Sequence, residues 1–264
     1  MHSFLKLIFI LSTLLMLPKG ELVYESKPNF IIYISDDQDY LDYGIYGNDR
    51  VDSKHVDKLA SQGLKFTNFH TAQAICAPSR SQLYSGLYPI KNGCYANHIP
   101  VKKNTKSVVH HLKDLGYEVV LAGKSHVNPP SVFRWDRFIR NIDGKKLNIK
   151  GIENYLKNSK KPFCLIIASD YPHGPYPQNK DYTIADVKKQ PYENKIPNFK
   201  AGYYQNIKSD NSQLGKILEL SEQLNLTDNS VFIYASDHGI TGKYGLYQKG
   251  LKIPFVIRWP GKLK

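Results

Sequence analysis

A chain of 264 residues with 41% apolar content is long enough to bury one sizeable α/β domain and has no need of a second. Its 36 lysines and arginines outnumber 23 acidic residues, for a formal charge of +13. That balance favours anionic partners such as nucleic acid, anionic lipid or sulfated and phosphorylated substrates, although scattered lysines equally suit a solvated surface.

The chain opens Met1-His2-Ser3-Phe4-Leu5-Lys6, followed by an apolar run from Leu7 to Leu17 and then Pro18. A short basic start and an apolar core of roughly ten residues match a secretory signal peptide over residues 1–20 and are too short to span a bilayer. An uncleaved anchor is the alternative. The expectation is a secreted or periplasmic protein, without stable membrane insertion after cleavage, whose residues 21–264 form one domain.

Asn29 to Ile34 reads as a buried strand that stops at Ser35-Asp36-Asp37-Gln38-Asp39. Ser53 to Gln62 has helical spacing, with Gly63 where a helix would end. Leu64 to His70 alternates like a strand, and Cys76-Ala77-Pro78-Ser79-Arg80 leads into a short helical pattern from Ser81 to Tyr84. Thr105 to Leu115 reads as a helix and Tyr117 to Ala122 as a strand, followed by Gly123-Lys124-Ser125-His126. Ile149 to Asn158 reads as a helix and Pro162 to Ala168 as a strand, followed by Ser169-Asp170-Tyr171-Pro172-His173. Pro175 to Lys200, rich in Pro, Lys and Asn, reads as a long surface loop before the longest helix, Gly202 to Leu224. Ser230 to Ala235 and Ile253 to Trp259 are the last strands, the first of them followed by Ser236-Asp237-His238-Gly239. Alternation of strands and helices predicts an α/β fold with a mostly parallel central sheet and helices on both faces.

Four of these strands end in an ionisable cluster: Asp36-Asp37, Lys124 with His126, His173, and Asp237-His238. In a parallel sheet the carboxyl ends share one edge, where ligands bind. Three carboxylates there, Asp36, Asp37 and Asp237, repel one another unless a divalent cation joins them, and oxygen ligands select Ca²⁺ or Mg²⁺. Lys124, His126, His173 and Lys243 supply cations and proton donors suited to a tetrahedral anion. His55, His98, His110 and His111 read as structural or surface residues. Cys76 before a helix start is a candidate activated thiol, or else a small buried hydrophobe. Of the other cysteines, Cys164 sits in an apolar run and reads as a packing residue. No cysteine spacing is of the metal-binding type, although an exported chain could pair two of the three.

Cys76-Ala77-Pro78-Ser79-Arg80 resembles the C-x-P-S-R signature of the type I, formylglycine-dependent sulfatases of the alkaline phosphatase superfamily. Asp36-Asp37, Gly123-Lys124-Ser125-His126, Pro172-His173 and Ser236-Asp237-His238-Gly239 resemble that family's other motifs, in its order. Lys243 to Pro254 matches its lysine–tyrosine–glycine–proline register, which selects Lys243 over Lys249. The block from Ser85 to Val127 is most similar to the heparan N-sulfatase (sulfamidase) branch. The resemblance implies an alkaline-phosphatase-like fold and metal ligands Asp36, Asp37, Cys76, Asp237 and His238. It also implies oxidation of Cys76 to Cα-formylglycine by a separate maturation enzyme, and sulfate-ester or N-sulfate hydrolysis of a sulfated saccharide, with no nucleic-acid partner. Lys124 and Lys243 would hold sulfate, His173 would protonate the leaving group, His126 would take a proton from the hydrated aldehyde, and Arg80 would orient it. His238 stands where many members have Asn, and the family's L-T-G-R stretch reads Tyr84-Ser85-Gly86-Leu87 here. Members also usually continue beyond the position of Lys264 into a C-terminal subdomain, so the chain reads as the N-terminal part of such a catalytic domain. The alternatives are a phosphonate or phosphate monoesterase of the same superfamily and an inactive, truncated glycan-binding domain. The register yields a test: Lys243→Ala should raise KM and lower kcat, whereas Lys249→Ala should do little, and the reverse pattern in steady-state kinetics would show the register to be wrong.

Overall fold

The central strand is β1 (Asn29–Asp36), and the sheet is assembled outward from it. A computed structural model describes residues 27–178 and 181–263; the expected leader, residues 1–20, lies outside the described residues. β1 is flanked on one side by β5 (Phe163–Pro172) and on the other by β6 (Ser230–Ser236), both parallel to it. Beyond β5 lie β3 (Glu118–Gly123) and the short β4 (Arg137–Ile139), also parallel. Beyond β6 the sheet changes sense: β7 (Phe255–Arg258) and β2 (Leu64–Phe66) add antiparallel edges. Among the described residues the order is β2-β7-β6-β1-β5-β3-β4.

A strand buried on both faces needs a nearly continuous apolar sequence, and β1 reads Asn-Phe-Ile-Ile-Tyr-Ile-Ser-Asp. Its alternation divides two cores. Ile31 and Tyr33 face helices α1 (Lys54–Ser61), α5 (Ile149–Asn158) and α6 (Lys200–Gln223). Ile34 faces α2 (Cys76–Ser85) and α4 (Val108–Asp114). Each aliphatic side chain so buried stabilises the fold by about 1.5–3 kcal/mol relative to exposure. Two short helices, α3 (Pro89–Asn92) and α7 (Gln248–Leu251), escape the sequence reading because four residues carry no measurable period.

Of the strand expected over Leu64 to His70, only Leu64–Phe66 forms a strand, paired with β7, and His70 adds an isolated antiparallel bridge to Lys252. The segment expected as a surface loop, Pro175 to Lys200, contributes Tyr176, Tyr182, Ile196 and Phe199 to a third apolar cluster with Tyr203, Tyr204 and Ile207 of α6. Its aromatics are separated by prolines and lysines without a period, so their common side is invisible in the sequence. α6 then begins at Lys200, and that lysine is fully buried. All three cysteines are buried free thiols, so no two of them are paired here. No helix among the described residues is long and apolar enough to cross a membrane.

One polar tie joins the two principal layers. The Tyr33 hydroxyl donates to Asp210 Oδ1 on α6 at 2.7 Å. Burial pushes the Asp210 carboxyl up to about 7, outweighing its hydrogen bonds to Ser169 and Tyr33, which favour the anion. An acid whose folded-state pKa is raised adds stability that is fully present below its unfolded value and is lost as pH rises through the folded one. Relative to the parent, Asp210→Asn should therefore gain about 1.4 kcal/mol of stability for each step of one pH unit between about pH 5 and about pH 7. Denaturant unfolding at both pH values measures this; a constant difference would refute the assignment.

Candidate active site

The expected groups converge on the carboxyl edge of β1, β3, β5 and β6, against the first turn of α2. Ile75 is extended and precedes the helix, so Cys76 is its first residue rather than the residue before it. The Ala77 N–H, which has no partner within the helix, donates to Asn97 Oδ1 at 3.2 Å. The Ser79 hydroxyl donates to the Asp237 carbonyl at 2.6 Å and pins this turn to the end of β6.

Arg80, one turn further on, is completely buried. Its guanidinium lies 3.0 Å from Asp36 Oδ1 and 3.0 Å from Asp237 Oδ2, tying the ends of β1 and β6 to α2. Asp36 turns its other oxygen to Lys124 Nζ at 2.5 Å. Burial alone would raise the Asp36 carboxyl, but Arg80 and Lys124 overcome it and hold the group well below the carboxylate range. Lys124 owes its place to Gly123, which has a φ of 90° and where a Cβ would fall 2.1 Å from the Ala168 carbonyl.

Asp37, Cys76, Asp237 and His238 offer four ligand atoms that lie within 4.8 Å of one another. His238 Nδ1 lies 3.2 Å from the Gly239 carbonyl and donates to it, which directs Nε2 to Asp37 Oδ1 at 3.0 Å and Cys76 Sγ at 3.4 Å. Despite burial, Asp237 and Asp37 raise the His238 imidazole well above its ordinary pKa, so an imidazolium balances the carboxylates. Two carboxylates and an imidazole already oriented by its other nitrogen fit a divalent cation, which would take the place of the His238 Nε2 proton. Asp36 lies outside this group, with its oxygens on Arg80 and Lys124.

Lys243 Nζ lies 2.8 Å from Asp37 Oδ2 and 3.6 Å from Cys76 Sγ. Burial would lower the Lys243 ammonium, but Asp37 and Cys76 raise it, so it stays charged. Lys249 instead lines a neighbouring cleft with Tyr40 and Tyr192. His173 donates through Nδ1 to the Gly174 carbonyl at 2.7 Å and turns Nε2 toward Asp37 Oδ2 at 3.6 Å. His126 stands to one side, with Nε2 3.3 Å from His98 Nδ1. Asp37, His98, His126 and Tyr244 are four of the five non-glycine residues with left-handed backbone among the described residues, the fifth being Asn225 beyond α6. Such outliers persist only where surrounding structure holds them.

A second buried network supports the first and was missed in the sequence. Lys200 Nζ lies 3.1 Å from Asp39 Oδ2, 2.8 Å from Asp42 Oδ2 and 3.5 Å from Glu193 Oε1. Asp39 also accepts from the Thr241 N–H (3.1 Å) and hydroxyl (2.8 Å), so it joins the loop after β1 to the loop that carries Lys243. Gly239 permits this approach, since a Cβ there would fall 2.8 Å from Asp39 Oδ1. The run Asp36-Asp37-Gln38-Asp39 hinted at Asp39; nothing local marked Lys200.

The fold and site define a class: an α/β protein with a carboxylate-rich, cation-lined centre built around a cysteine at a helix start. The Sulfatase family profile matches residues 28–264, and the chain belongs to that family. It is 50% identical to an ulvan-active sulfatase of Formosa agariphila, over 94% of this chain and 52% of that protein. It is 23% identical to the human N-acetylgalactosamine-6-sulfatase, over 89% of this chain and 57% of that one. The chain thus spans about half the length of these curated relatives. The crystal structure of the sulfatase YidJ from Bacteroides fragilis superposes with a TM-score of 0.78 at 24% identity, covering 90% of this chain and 69% of that one. The phosphonate monoester hydrolase of Agrobacterium radiobacter shares the fold at a TM-score of 0.77 and 16% identity, covering 89% and 68%.

The donor set makes a direct prediction. Asp37→Ala and Asp237→Ala should each abolish calorimetric binding of Ca²⁺, whereas Lys249→Ala should leave it unchanged; retained binding in both aspartate variants would remove these carboxylates from the ligand set.

Proposed function

We propose that the chain carries the catalytic site of an exported sulfatase that hydrolyses a sulfate ester, or an N-sulfate, on a sulfated saccharide. The observation that carries this reading is the meeting of Cys76 Sγ with Asp37, Asp237, His238 and Lys243 at one buried point. The 50% identity to an ulvan-active sulfatase supports a sulfated polysaccharide as substrate class. The basic charge of +13 suits an anionic polymer.

Conversion of Cys76 to Cα-formylglycine by a maturation enzyme would supply an aldehyde hydrate with two hydroxyls, one to attack sulfur and one whose loss of a proton expels sulfate. A divalent cation, Ca²⁺ or Mg²⁺, held by Asp37, Asp237, His238 and residue 76, would supply charge that favours the ionised hydroxyl and draws a sulfate oxygen. The chain's own groups supply the rest. Arg80 fixes Asp36 and Asp237, so the carboxylates cannot move toward an incoming anion. Lys243 and Lys124 present ammonium groups, each on a short tether to an aspartate, at the mouth of this centre. His173 turns Nδ1 to the Gly174 carbonyl, which leaves Nε2 as the nitrogen that would pass a proton to the leaving group. His126 is the candidate acceptor for a proton from residue 76. Burial, then Lys124 and Arg80, push its imidazole down to about 4, so the ring is neutral and able to accept at neutral pH.

Intact-mass analysis of the peptide containing Cys76, from protein made in its native host, tests the reading. The expected result is loss of one sulfur and two hydrogens and gain of one oxygen, with sulfate release from aryl sulfate or N-sulfoglucosamine. An unconverted thiol in fully active protein would overturn the proposed nucleophile. Turnover of aryl phosphate above both sulfates would overturn the substrate class.

A further inference from the structure

His98 lies in the irregular segment between α3 and α4, and nothing in the sequence distinguishes it from the other exposed histidines. The fold draws that segment against the start of α2. Asn97 accepts the Ala77 N–H, and Gln73 Nε2 donates to the Tyr95 carbonyl at 2.8 Å. His98, the next residue, therefore stands on the wall of the site. Its ring centroid lies 5.0 Å from that of His126, with the planes 46° apart and Nδ1 3.3 Å from His126 Nε2. Both residues have left-handed backbone, φ 67° at His98 and 51° at His126.

Two ring nitrogens facing each other at this distance share one hydrogen: one donates and the other accepts. The second nitrogen of His126, Nδ1, is buried and has no hydrogen-bond partner. If Nε2 were bare, the hydrogen would sit on Nδ1 as a buried donor without an acceptor, an arrangement that folded proteins rarely tolerate. If Nε2 carries the hydrogen and gives it to His98, Nδ1 is left with a free lone pair. We propose that His98 is a positioning residue that holds His126 in its Nε2–H tautomer and leaves Nδ1 as the nitrogen that accepts a proton from the reacting centre. The inference rests on the role given to His126 in the proposed function.

The proton inventory is simple. In the proposed step a hydroxyl of residue 76 loses one proton and His126 Nδ1 gains it, while the Nε2–H bond to His98 stays intact. The charged and titratable groups facing His126 are Lys124 on its own segment, Arg80 of α2, Asp36 at the end of β1, and His98. The two cations disfavour a lasting imidazolium, Asp36 favours it, and His98 adds an acceptor in line with the ring's own donor. His98 thus does for His126 what the Gly174 carbonyl does for His173, fixing which nitrogen works by occupying the other.

Two variants separate positioning from structure: His98→Ala removes the acceptor, and His98→Gln replaces it with an amide oxygen. Nitrogen-15 spectra of histidine-labelled, unconverted protein should show His126 protonated at Nε2 and bare at Nδ1, turning into a mixture of tautomers in His98→Ala. In converted enzyme His98→Ala should lower kcat by about 10- to 100-fold with KM unchanged, and His98→Gln should restore most of it. Melting temperature should be the same in all three. The proposal is overturned if His126 carries its hydrogen at Nδ1, if its tautomer is insensitive to His98, or if the loss of kcat tracks a loss of stability. Converted wild-type protein that releases no sulfate would defeat the proposed function instead, and the spectra of unconverted protein would still decide the tautomer.

Discussion

Arg80 holds the site together. A guanidinium with no exposure bridges Asp36 and Asp237, carboxylates on two adjacent parallel strands, from a third element, α2. Removing charges from water is expensive, and such an arrangement persists only when each is paired and hydrogen-bonded. The planar fork of arginine meets most of that demand, because Nε and Nη2 serve two acceptors at once in fixed directions, while Nη1 is buried without a partner among the described residues. The result is a rigid corner in which the sheet edge and the helix start cannot shift independently. Deleting one member of such a buried pair typically costs about 3–5 kcal/mol, because its partner is left charged and alone.

Around that corner the charges are arranged in tiers. Asp36 lies between Arg80 and Lys124. Asp37 is the shared one: it meets Lys243, His238 and His173, each from a different segment. Its φ of 65° turns the carboxylate out of the line of β1 and into the space beside Cys76. Further out, Lys200 performs for Asp39 and Asp42 the service that Arg80 performs for Asp36 and Asp237. Through Thr241, Asp39 then fixes the loop that presents Lys243. The Asn206 amide, one turn and a half along α6, donates to the carbonyls of Pro172, His173 and Pro175 and so sets the chain path at His173. The longest helix thereby orients two of the groups that meet at Asp37.

Membership of the sulfatase family agrees with this design, and the physical reading does not depend on it. Converging strand ends, a helix start and opposed charges were derivable from residue types and their order. Cys76 is buried among the carboxylates of Asp37 and Asp237 and lies beside the Lys243 ammonium.

The parallel sheet, its two helical faces and the edge at which the polar clusters meet were all legible in the sequence, because each rests on local hydrophobic periodicity and on the polar residues that end each strand. The motif residues were legible for the same reason: Asp36-Asp37, Lys124, His126, His173 and Asp237-His238 each follow a strand directly. What only the tertiary structure decided are the contacts between residues far apart in the chain. Which of Asp36 and Asp37 faces Arg80 is decided by the left-handed backbone of Asp37. The burial of Lys200 depends on Asp39 and Asp42, about 160 positions earlier. The pairing of His98 with His126 depends on a loop being drawn against α2 by Asn97. A side chain's neighbours across the fold leave no periodic trace in the sequence, so Lys200 and His98 looked like ordinary surface polar groups until the chain was folded.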